Sequence, residues 1–92
     1  MINKISAYVG FAMKANQIVI GTDNVLSKRD VKIVLLNENL SENAKRKISK
    51  KCKVYTFTDA EFGLISKDAS IKVIGIIDNN LSNAIRNLLE VQ

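Results

Sequence analysis

Gly21, Thr22, Asp23 and Asn24 follow directly on the β-branched run Ile18, Val19, Ile20, and the apolar pair Val25 and Leu26 comes next. A glycine that ends a buried strand and leads into a helix exposes backbone N–H groups at the turn. Phosphate oxygens or the acceptor edge of a base can dock there. Lys28 and Arg29, one helical turn further on, would set cations beside that opening. A second basic feature lies between Ser41 and Lys53. Lys45, Arg46, Lys47, Lys50, Lys51 and Lys53 are six of the fourteen Lys and Arg of the chain, and no acidic residue interrupts them after Glu42. At about 100° per residue, Arg46, Lys50 and Lys53 fall opposite the apolar stripe Ala44, Ile48 and Cys52, as candidate phosphate contacts. Read as plain structure, the first feature is a helix cap and the second a solvated helix face.

Other chemistries lack their residues. The chain has no histidine and one cysteine, Cys52, so zinc sites of the Cys and His type cannot be assembled within it. Nucleophile–histidine pairs are absent for the same reason. Asp23, Asp59 and Asp78 are scattered carboxylates without a recognisable partner, and caps account for most such residues. Neither catalysis, a metal nor a cofactor is expected.

The elements that must position these residues alternate along the chain. Ile5, Val9, Ala12 and Met13, extended by Ile2 and Tyr8, predict an amphipathic helix over 3–15. Strand 18–20 follows, then a short helix over 23–29 capped by Thr22 and acidic in its first turn. The nearly all-apolar segment 31–36 reads as a strand buried on both faces. After a polar turn over 37–40, Ser41 caps a helix running to about residue 52. Segment 54–58 is strand-like, 59–65 a helix interrupted by Gly63, 72–77 a buried strand, and Ser82 opens a last helix with Ile85, Leu88 and Leu89 inward. The order predicts an α/β, three-layer α/β/α sandwich, with helices on both faces of a central sheet of about four strands. With 92 residues and neither proline nor a low-complexity run, 1–92 is read as a single domain. No apolar run approaches the roughly 20 residues that cross a bilayer, and Asn3, Lys4 and Ser6 stand where a secretory signal needs its apolar stretch. A cytoplasmic, monomeric protein is expected. Its formal charge of +5 suits either a polyanionic partner or simple solubility.

Taken together, these segments resemble the kink-turn-binding ribosomal protein family of archaea and eukaryotes, most nearly its small bacterial branch, the YlxQ type. The resemblance runs through Gly10-Phe11-Ala12-Met13-Lys14-Ala15, Gly21-Thr22-Asp23-Asn24-Val25, and Val34-Leu35-Leu36-Asn37-Glu38-Asn39 with Ser41-Glu42-Asn43. It continues through Cys52, Phe62-Gly63 and Ile76-Ile77-Asp78. It implies a three-layer fold that binds structured RNA, rRNA or another kink-turn-like RNA, without catalysis and without a cofactor.

In RNA-binding members of that family the Gly-Thr turn is followed by Asn-Glu and, a helical turn later, Lys, which read guanines of tandem G·A pairs. Here Gly21 and Thr22 match, while Asp23 stands at the Asn position, Asn24 at the Glu position and Ser27 at the Lys position, with Lys28 beside it. Guanine O6 and N7 are acceptors, so a carboxylate at Asp23 repels the edge that an amide would bind. The resemblance adds contacts from the turn after the second buried strand, Asn37 and Glu38, and from the loop before the last strand, Lys67, Ser70 and Ile71. In that loop an apolar surface flanked by cations would meet an unstacked base. The basic helix runs almost directly into the next strand, where relatives have a longer connection with a proline. Two functions follow: a non-catalytic structured-RNA binder, associated with the ribosome, or a protein-interaction module that kept the fold and lost base readout.

Overall fold

In the computed structural model, which describes residues 1–90, five helices and four strands alternate: α1 (Ile2–Lys14), β1 (Ile18–Ile20), α2 (Thr22–Ser27), β2 (Ile33–Asn37), α3 (Glu42–Lys51), β3 (Lys53–Phe57), α4 (Asp59–Ser66), β4 (Val73–Ile76) and α5 (Asn79–Glu90). The strands form one sheet in the order β1-β4-β2-β3. β2 and β3 are parallel, whereas β4 runs antiparallel to both of its neighbours, β1 and β2. β1, β2 and β3 therefore point the same way, and only β4 is reversed.

Every residue of β2 is buried, which is what a strand covered by helices on both faces requires. Its side chains alternate between two cores. Ile33 and Leu35 join Ile74 and Ile76 of β4 against Ile5, Val9 and Ala12 of α1, Phe62 and Ile65 of α4, and Ile85 of α5. Val34, Leu36 and Val73 face the other way, against Val25 of α2 and Ile48 of α3. The three-layer α/β/α sandwich expected from the sequence is thus formed, with α1, α4 and α5 on one face and α2 and α3 on the other.

Several boundaries move, for local reasons. Thr22 is the first residue of α2 rather than its cap; the cap is Gly21, at φ 96°, and its carbonyl accepts from Val25 N at 3.0 Å. The same helix stops at Ser27, and Lys28 turns extended (φ −84°, ψ 134°). α5 starts at Asn79, before Ser82, because Asp78 Oδ2 accepts from Leu81 N at 2.7 Å and caps it. Gly63 does not interrupt α4. Its propensity cost of about 1 kcal/mol is offset by burial of Phe62 and Ile65 and by a capping box between Thr58 and Glu61. Met13 lies one step around the helix from buried Ala12 and is exposed rather than in the stripe. Gly75 matters for packing: a Cβ there would lie 3.2 Å from Val25 and 3.1 Å from Val31, so its absence lets α2 seat on the sheet. No helix among the described residues is long and apolar enough to cross a membrane.

Candidate nucleic-acid interface

Because β1, β2 and β3 are co-directional, their C-terminal ends lie together, beside the N-terminal end of β4. Gly21 N donates to Val73 O at 3.2 Å, Asn37 N to Lys72 O at 2.9 Å, and Glu38 N to Phe57 O at 2.8 Å. Three segments far apart in sequence, the 21–24 turn, the 37–40 turn and the 67–72 loop, thereby meet at one end of the sheet. A cleft of about 90 Å³ lined by Asn37, Asp59, Phe62, Ser66, Asp68 and Ile71 joins the last two.

The side chains at this end are largely occupied with one another. Asn37 is 3% exposed; its Nδ2 donates to Asp59 Oδ1 at 2.9 Å and its Oδ1 accepts from Asn39 N at 2.8 Å. Both ends of the amide hold the turn to α4. Glu38 does likewise, its Oε2 accepting from Asp59 N at 2.9 Å. Ser70 donates its N–H and its hydroxyl to Asp68 Oδ1, at 2.9 and 2.7 Å. These bonds, the hydroxyl first, hold the Asp68 carboxyl below its ordinary range. Ile71 packs against the larger core, so the loop offers less apolar surface than its sequence suggested. Lys67, the C-cap of α4, adopts a left-handed conformation (φ 59°) and is exposed.

In the glycine turn, Asn24 Nδ2 donates to Ile20 O at 2.9 Å, and Ser27 Oγ donates to Asn24 O at 3.2 Å. Asp23 is exposed. Lys28 caps the C-terminal end of α2 and Arg29 follows it, both exposed. A six-residue helix rises about 9 Å, so Lys28 lies a helix length from the glycine turn, yet it lines one groove of about 360 Å³ with Asn24 and Ser27 of α2 as well as with Asn16, Ile18 and Ile77.

Helix α3 is capped as expected, Ser41 Oγ accepting from Ala44 N at 3.2 Å. Its cations divide. Lys45 bridges Glu42 at 3.1 Å and donates to Glu38 O at 2.7 Å. Lys51 reaches across to α2, donating to Val25 O at 2.9 Å, Leu26 O at 2.6 Å and also to Lys28 O. Sequence spacing gives no sign of this role for Lys51, because its partners lie 23 to 26 residues away. Arg46, Lys47 and Lys50 remain exposed along the helix. Lys53 is not in α3 at all. It opens β3, 5.6 Å from the centroid of Tyr55 and 4.0 Å from Glu90 of α5, on the opposite face of the sheet from Arg46 and Lys50. Cys52 is half-buried against the smaller core, and burial pushes its thiol pKa up, as for a packing residue rather than a nucleophile. No group of three or more His, Cys, Asp or Glu side chains among the described residues is placed to hold a metal.

No family model matches the chain. The RNA-binding protein YlxQ of Enterococcus faecium is 30% identical, over 89% of this chain and 87% of that protein. The chain belongs to the YlxQ family. A solved structure, that of a protein of unknown function from Bacillus halodurans, superposes with a TM-score of 0.77 over 95% of this chain and 97% of that one, at 24% identity. At that identity it establishes the shared fold and nothing more, and it extends that fold over essentially all of this YlxQ-family chain.

Proposed function

We propose that this chain is a non-catalytic, cytoplasmic RNA-binding protein that docks structured RNA, a kink-turn or a related internal loop of ribosomal or similar RNA, on the strand end carrying the 21–24 turn. The relative named as an RNA-binding protein supports RNA as the partner class. The observation that carries the choice of surface is the convergence of the 21–24, 37–40 and 67–72 segments at one end of the sheet. In this reading Gly21 lets the backbone approach a base edge, and Thr22, Asp23 and Asn24 face that edge. Lys67 supplies a cation, Ser70 and Ile71 meet an unstacked base, and Asn37 and Glu38 shape the turn without donating to RNA.

A second reading, a protein-interaction module, draws on a different observation: the Asn24 amide and the Ser27 hydroxyl are already engaged within the chain. One experiment separates the two. Affinity is measured for a short kink-turn stem and for the same stem without its tandem G·A pairs, at two salt concentrations. Preference for the kink-turn supports base readout at this end. Equal binding to both stems removes the kink-turn part, and binding to neither removes RNA and favours the protein partner, whose capture should then survive nuclease treatment of the extract.

A further inference from the structure

The two ends of the sheet differ in charge. At the end just described, strands feed into helix N-termini, and Asp23, Glu42, Asp59 and Glu61 occupy first turns as helix dipoles favour. Glu38 and Asp68 add to them in the connecting segments, against Lys45, Lys67 and Lys72 at the same end. At the other end, α1, α2 and α3 finish, β1, β2 and β3 begin, and β4 ends: Ile77 N donates to Gln17 O at 2.8 Å and Lys32 N to Ile76 O at 2.8 Å, while Ile33 pairs with Lys53. Lys14, Lys28, Arg29, Lys32, Lys50 and Lys53 gather here and are exposed. Helix dipoles account for Lys14, Lys28 and Lys50, each at or beside a helix C-terminus. Arg29 and Lys32 belong to no helix, and among the described residues neither pairs with an acid. Of the acids at this end, Asp78 caps α5 and Glu90 faces Lys53 and Tyr55, leaving Asp30 as the exposed carboxylate in the 28–32 link.

We propose that this basic end is a second RNA-binding surface, one that takes the phosphate backbone of a duplex stem without reading its bases. Cations spread across the ends of adjacent strands, about 5 Å apart from strand to strand, suit a row of phosphates. They carry no base-edge geometry, since contacts of this kind position without specifying. The opposite end, where acids outnumber lysines, attracts the same backbone less, and this difference orients a stem on the protein. The inference rests on the RNA-binding reading but not on its kink-turn part.

The test uses the full chain, a plain RNA duplex without G·A pairs, the kink-turn stem, and a series of salt concentrations. Lys28→Gln, Arg29→Gln and Lys32→Gln are combined in one variant, all three being exposed side chains. The variant should lose about tenfold or more in affinity for both RNAs at low salt. The magnitude of its log–log salt slope should fall by about 2 to 3. Arg29→Gln alone should lower the slope by about 0.9 with unchanged thermal stability, which keeps the test intact if the triple variant folds poorly. Lys4→Gln, an equal loss of charge ten residues from Lys14 on α1 and so about 15 Å away, should leave the slope unchanged. Wild-type slopes in the folded variants, or an equal effect from Lys4→Gln, would overturn the proposal. Failure of the wild type to bind either RNA overturns the RNA-binding reading with it. Loss of slope without any kink-turn preference supports the basic end and removes only the kink-turn reading.

Discussion

Asp68 shows how single side chains set the 67–72 loop. Its carboxylate accepts from the Ser70 hydroxyl and then from the Ser70 N–H, and both bonds favour the ionised form, so its pKa in the folded protein lies below the ordinary value. The sign of the linkage follows from that depression: the contribution is complete above the unfolded-state pKa, about 3.9, and is lost as pH falls through the folded value. Ser70→Ala removes the hydroxyl donor. An NMR titration of the Asp68 carboxyl should then move up towards the ordinary value, and an unchanged titration would mean the backbone N–H alone sets it. For binding, the bonds have a further consequence: a base that takes Ser70 as donor must draw it away from Asp68, so protonating Asp68 makes Ser70 more available.

At the scale of elements, α2 is the vulnerable part. It has six residues, too few to hold itself as a helix in water, and its place depends on buried Val25, on the space left by Gly75, and on Lys51. The Lys51 ammonium bonds the carbonyls of Val25, Leu26 and Lys28, the unsatisfied acceptors of a helix C-terminus, where a cation is favoured. Lys51→Met should cost about 1 to 3 kcal/mol in thermal or denaturant unfolding and speed amide exchange through α2. Lys50→Met, one residue away and exposed, should stay within about 0.5 kcal/mol of wild type. Equal stability of the two variants would show that the bonds to α2 contribute nothing. What the sequence makes legible at this scale is local. The Ile5, Val9, Ala12 stripe, the fully buried β2 and the Ser41 cap each arise from neighbours within a few residues, and each is where periodicity predicts. The end of α2, the start of α5 and the bonds of Lys51 depend on partners distant in sequence or on which of two caps wins. Insertion of β4 between β1 and β2 is of the same kind. The candidate site divides similarly: its segments were readable, but burial of Asn37 and the transfer of Lys53 to the opposite face come from pairings that spacing does not encode.

For the molecule as a whole, charge separation is a product of the architecture. Three co-directional strands, each followed by a helix, put the starts of α2, α3 and α4 at one end of the sheet and the ends of α1, α2 and α3 at the other, and the acids and cations of those turns sort as the helix dipole favours, with α5 starting at the second end as the exception. A chain of formal charge +5 thus presents two ends of different charge, and in the proposed reading one would read bases while the other takes the backbone. Asp23→Asn removes a carboxylate that repels guanine acceptors and should tighten binding to the G·A-containing stem several-fold, with little change for the control stem. Lys32→Gln removes a phosphate contact and should weaken both stems alike. Asp23 lies in the first turn of α2 and Lys32 in the link that follows this helix, and the two side chains form no ion pair with each other. In the double variant the effects on affinity should then add within about 0.5 kcal/mol, roughly twofold. A larger departure would mean that the RNA shifts its position when one end is altered, so that the two ends hold one rigid stem in a single register and act as one site.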